Sequence, residues 1–139
     1  MKNEYVHVTI EGIKADKKTL NGNVYSKELL EKNIKKLQDK IEDKGVVALA
    51  STADFGFDCV VGWVKSICLD QENRIACSFA MPEKVCAVAA KDLIKLLEIG
   101  KVGIYMASVG IIDDEGNVLE EGFKIHHFYF GDKKKAIDK

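Results

Sequence analysis

Residues 5–13 alternate: Val6, Val8 and Ile10 fall on one side, and Tyr5, His7, Thr9 and Glu11 on the other. A period of two predicts a half-buried strand. After a turn-rich stretch with Asn21-Gly22-Asn23, the period changes. Leu30, Ile34, Leu37 and Ile41 recur at four- and three-residue spacing on a background of Lys, Glu and Asp, behind Ser26 as N-cap and before Gly45 as stop. This predicts a one-sided amphipathic helix to about Asp43, packed on a sheet.

Val46–Ala50 reads as a short buried strand, and residues 51–58 as a polar loop carrying Phe55 and Phe57. Val60–Leu69 and Arg74–Met81 read as a hairpin turning at Asp70-Gln71-Glu72-Asn73. Pro82 suits a first helical turn, and the stripe Cys86, Ala89, Ala90, Leu93, Ile94 and Leu97 predicts a helix over Glu83–Ile99, stopped by Gly100. The apolar run Val102–Ile112 predicts a central strand buried on both faces. Asp113–Asn117 turns the chain into a last strand, Phe123–Phe130. The order β–α–β–ββ–α–β–β predicts an α+β fold: an antiparallel or mixed, barrel-like sheet of about six strands with two main flanking helices. Residues 1–130 are expected to form one domain, and the charged residues 131–139 to fray.

Composition narrows the function classes. The 139 residues are 47% hydrophobic and 31% charged, with a formal net charge of -1, so no global field draws the chain to nucleic acid or a membrane. Arg74 is the only arginine, which disfavours bidentate phosphate recognition. No segment approaches the ~20 apolar residues of a bilayer span, and the N-terminus has no signal-peptide core. The expected location is the cytoplasm or the interior of an assembly. Cys59, Cys68, Cys77 and Cys86 recur every nine residues, a spacing that matches no metal pattern, and they read as free core thiols. Neither a cofactor nor a metal site is expected. Asp113, Asp114 and Glu115 precede Gly116-Asn117 and read as a solvated turn rather than a cation site. His126 and His127, adjacent on a strand, are expected to point to opposite faces.

No Walker loop, dinucleotide fingerprint, zincin motif or nucleophile elbow is present. The information lies in an ordered combination. Asn21-Gly22-Asn23-Val24-Tyr25-Ser26 leads into a helix, a strand and polar loop follow, and Val60-Val61-Gly62-Trp63-Val64 opens a hairpin. Leu93–Gly100 then runs into Ala107-Ser108-Val109-Gly110-Ile111. Across residues 20–130 this order resembles the caudovirus prohead serine proteases, which cleave scaffold and coat proteins during capsid maturation. The resemblance implies a fold like that of the herpesvirus assemblins, and scaffold or capsid proteins, or further copies of the chain, as partners.

The resemblance places Ser108 at the nucleophile of the family's Ser-x-Gly, with Gly110 leaving room for a substrate backbone. The family's histidine base follows the second strand, in a His-Asp element. With Asp54 matched to that Asp, Ala53 stands at the histidine, and alanine cannot accept a proton. His126 or His127 falls near the third triad position and is the alternative partner of Ser108. Without the family context, Ser108 reads as a buried strand serine bonded to backbone.

Three readings stay open. One is a protease-shaped protein without full catalytic machinery, acting in particle assembly or as a binding module, with Phe55 and Phe57 on a partner surface. The second is an active serine endopeptidase in which Ser108 works with His126 or His127. The third is an unrelated small β-rich adaptor.

Overall fold

The computed structural model describes residues 3–51, 59–85 and 88–133. The first strand, β1 (Asn3–Thr9), keeps the alternation expected of it, with Tyr5, His7 and Thr9 exposed and Val6 and Val8 half-buried. Helix α1 (Lys27–Glu42) starts where the sequence places it, with the Ser26 hydroxyl accepting from the Leu29 amide at 3.1 Å. Its buried stripe is Leu29, Leu30, Ile34 and Leu37, each worth roughly 1.5–3 kcal/mol on burial. Asn33 is buried on the same face and is satisfied by donating to the Leu29 carbonyl at 2.9 Å. The left-handed residue ending the helix is Lys44 (φ 67) rather than Gly45. Gly45 is needed for closeness instead, since a Cβ there would stand 2.9 Å from the Lys40 carbonyl oxygen.

Strands β2 (Ala48–Ser51), β3 (Cys59–Leu69) and β4 (Ile75–Pro82) form an antiparallel meander, with β1 added to the outside of β4. The β3–β4 turn is fixed by Asp70, whose carboxylate accepts the Glu72 and Arg74 amides. Gln38 ties α1 to β3 by donating to the Ile67 carbonyl at 2.7 Å.

The expected helix over 83–99 is shorter than its stripe. Lys84–Val85 (β5) pairs with Val88–Ala89 (β6) as a two-residue ladder, and α2 spans only Ala90–Glu98. The β-branched Val85 and Val88 favour extended backbone, and Ala89 offers no side-chain cap, so the helix begins late.

The final strands are β7 (Val102–Val109) and β8 (Lys124–Asp132), which extends two residues beyond the sequence expectation. The six long strands form one mixed, half-barrel sheet in the order β1-β4-β3-β2-β8-β7, and β2–β8 is the parallel pair. β7 is therefore at the edge of the sheet and not at its centre, and Ile111 and Ile112 beyond it are exposed. The buried start of its apolar run, Val102–Ile104, reflects curvature. The sheet bends until the residue after β1's continuation meets β7, where the Glu11 amide donates to the Ile104 carbonyl at 2.8 Å. Ile10, Leu49, Phe79, Ile104, Phe128 and Phe130, all at most 1% exposed, fill the concave interior, and Phe79 meets Phe128 edge to face.

Candidate functional site

The site is built on the β7–β8 ribbon. Ile104 stands opposite Phe130 and Met106 opposite Phe128, all turned to the interior, while Tyr105 opposite Tyr129 and Ala107 opposite His127 occupy the other face. Between Ala107 and Ser108 the register slips. His126 is the extra residue, and Ser108 stands opposite Ile125.

Ile125 and Phe128 are both buried, so the two residues between them are both carried off the core, with His126 exposed and His127 half-buried. The bulge thus cancels the alternation that would have sent the two imidazoles to opposite faces. It puts Ile125 rather than His126 opposite Ser108, on the face of Met106, while His127 keeps the face of Ala107 and Tyr129 by ordinary alternation from Phe128. His127 packs on the Tyr129 ring, with centroids 6.4 Å apart. Among the described residues, no side chain hydrogen-bonds to the half-buried Ser108 hydroxyl.

Gly110 lies just past β7, and a Cβ there would meet the Phe123 ring at 3.2 Å, so the space beside it is occupied by that ring. Phe55, Phe57, Ala53 and Asp54 lie outside the described residues. The strand leading to them ends at Ser51, which is fully buried and whose hydroxyl has no hydrogen-bond partner among the described residues. β2 runs parallel to β8 with Ala50 beside Tyr129, so it finishes near Phe130. That is five residues along β8 from Ile125, roughly 16 Å at strand rise. The strand end before the loop and Ser108 sit at opposite ends of β8.

A feature not anticipated from the sequence lies beside this ribbon. Beyond the Glu11–Ile104 hydrogen bond the seam opens into a cleft of about 280 Å³, walled by Glu11, Asn21, Tyr25, Tyr105, Tyr129 and Asp132 and floored in part by Met106. Tyr105 and Tyr129 stack with centroids 5.7 Å apart. Burial, then the carboxylate of Glu11, the neighbouring Tyr129 and Asp132 push the Tyr105 phenol above its usual range. Ser108 follows Met106 by two residues on the same strand face, roughly 7 Å away. The signal was present in the sequence as a mirror pair: Gly103-Ile104-Tyr105 and Tyr129-Phe130-Gly131, paired antiparallel, bring tyrosine to tyrosine and glycine to glycine.

The Asp113 carboxylate is taken up by its own turn, accepting the amides of Glu115 and Asn117, both at 2.9 Å.

The solved structure of the bacteriophage T4 capsid assembly protease, gp21, superposes with a TM-score of 0.63 at 18% identity, covering 91% of this chain and 82% of that one. The chain shares the fold of that protease. No protein-family model matches the sequence, and no curated protein matches it. On the shared protease fold, the order of elements read along the chain and the half-barrel with two helices are accounted for. Among the described residues no helix is long and apolar enough to cross a membrane.

Proposed function

We propose that the chain is a prohead-protease-like protein that works in capsid or particle assembly, binding scaffold or capsid proteins without full catalytic machinery. The observation that carries this reading is the bulge at His126. It takes His126 out of the position across from Ser108, where Ile125 stands instead, while His127, beside Phe128, lies on the other face. A serine without a positioned base is a poor nucleophile. Alanine at position 53, where the resembling family has its histidine, points the same way. What the fold retains is an edge: past Ile104 no described residue pairs with the outer side of β7. An extended peptide from a partner can add there as a further strand, because backbone pairing needs no catalytic group.

The test joins two measurements. The purified protein is treated with a serine-directed phosphonate and its intact mass recorded. It is also mixed with candidate phage scaffold and capsid proteins and run by analytical ultracentrifugation. The expected result is no adduct and a stable complex. Phosphonate labelling that disappears in Ser108→Ala would sink the non-catalytic reading.

A second reading, an active endopeptidase using Ser108 with His126 or His127, is favoured by one observation: among the described residues no side chain takes up the half-buried Ser108 hydroxyl. It predicts cleavage of co-expressed scaffold that Ser108→Ala abolishes. An unrelated β-rich adaptor is disfavoured by a fold shared over 91% of the chain.

A further inference from the structure

The seam cleft has a chemical bias that the peptide-edge reading does not require. Gly103 and Gly131 stand directly opposite each other on β7 and β8. A Cβ on Gly103 would fall 2.5 Å from the Glu11 side chain, and a Cβ on Gly131 2.8 Å from the Tyr105 ring. The paired glycines therefore let a carboxylate and an aromatic ring lie close on the sheet, where any larger residue would lift them. Glu11 is held there by its own amide on Ile104. The second carboxylate, Asp132, follows Gly131, and both acids act on the Tyr105 phenol. Stacked tyrosine faces beside carboxylates are the chemistry that receives a cation, and best a planar one.

The chain itself supplies a first example. Lys133 reaches Glu11 with its ammonium at 3.0 Å, from the residue immediately after β8. Both side chains of that pair remain about a third exposed, so it is an exchangeable surface contact and not a buried lock.

We propose that the seam cleft is a side-chain pocket for an arginine or lysine of the polypeptide that adds along β7, with Lys133 as its intramolecular competitor. The inference rests on β7 being the edge to which a peptide adds. The basic side chain enters between Glu11 and the Tyr105–Tyr129 pair while its backbone pairs with Met106 and Ser108. The partner class is a protein segment with an isolated basic residue rather than an acidic or wholly apolar one.

The probes are the capped pentapeptides Ala-Ala-Arg-Ala-Ala, its norleucine counterpart and its glutamate counterpart, titrated into the 15N-labelled full chain. Amide shifts are followed at Gly103, Tyr105, Tyr129 and Gly131, and separately at Met106 and Ser108. The arginine peptide is expected to bind about tenfold tighter than the norleucine peptide, as one charge-assisted contact implies. Glu11→Gln should remove most of that preference. Lys133→Ala, which deletes the competitor without touching the cleft wall, should tighten arginine binding. Equal affinities for arginine and norleucine, or weaker arginine binding in Lys133→Ala, would overturn the inference. If every peptide shifts Met106 and Ser108 alike with no arginine preference, the edge reading stands and the pocket fails. If arginine shifts Tyr105 and Gly131 while Met106 and Ser108 stay still, the pocket stands and the edge reading fails.

Discussion

Gly103 and Gly131 face each other across β7 and β8, and each vacates the place that a neighbouring side chain fills: Glu11 over the first, the Tyr105 ring over the second. The two positions are not equivalent. The ring over Gly131 is stiff and already stacked on Tyr129, whereas the Glu11 side chain can swing aside. Gly131→Ala should therefore cost about 1–3 kcal/mol by overpacking, and Gly103→Ala less. Urea denaturation of both variants checks the order. Equal costs would mean that the ring yields as easily as the carboxylate.

Ser26 caps the start of α1 by accepting the Leu29 amide, beside Asp16, whose carboxylate accepts the Lys27 amide. Ser26→Ala is expected to cost about 1 kcal/mol, and Ser26→Asp to recover most of it. Thermal melts followed by circular dichroism measure both.

Cys68 is exposed, whereas Cys77 is buried and its thiol is held far above the usual range, chiefly by burial and then by the proximity of Cys68. A native-state alkylation time course, mapped by mass spectrometry, should label Cys68 within the first minutes and Cys77 only on unfolding. Equal rates would place Cys77 in contact with solvent.

The Asp113 carboxylate accepts amides within its turn, the Asn117 amide foremost, and its pKa is lowered from 3.8. A carboxylate depressed in the folded state stabilises it above its unfolded pKa, and that contribution is lost as pH falls through the folded value. The stability difference between the native chain and Asp113→Ala should thus be constant near neutrality and narrow below about pH 4. Melting both proteins from pH 7 to pH 2.5 tests the sign, and a gap that widens on acidification would contradict it.

Local patterns in the sequence carried most of the fold. Ser26 and the stripe from Leu30 to Leu37 located α1, and the alternation after Tyr5 located β1, because capping and periodicity act within a few residues. β7 lies at the edge of the sheet, although its apolar run predicts the centre. Only Val102–Ile104 of the run to Ile112 are buried, and burial at a seam between curved edges reads the same as burial between neighbours. The stripe around Cys86 was over-extended, since apolar spacing cannot outweigh two valines committed to a short ladder. The site was less legible. Ser108 and the two histidines could be named, but their mutual aim depends on a bulge, and a bulge leaves no mark in the alternation until both strands are paired. The cleft was written in two mirrored tripeptides 24 residues apart, which acquire meaning only through their antiparallel register.

The parallel union of β2 with β8 joins Leu49 to Phe128 and inserts one of the last strands of the chain between two earlier ones. During synthesis, the meander of β1 to β4 and helix α1 can assemble on the ribosome. Their concave side must nevertheless wait, apolar and unroofed, for the strand that carries Phe128 and Phe130. Pairings this distant close slowly, since a long loop must be ordered before any contact rewards it. The nascent chain is therefore most vulnerable to sticking to its neighbours in the interval between emergence of β4 and release of β8. The chain thus meets its most dangerous competition from other unfolded chains before it is complete.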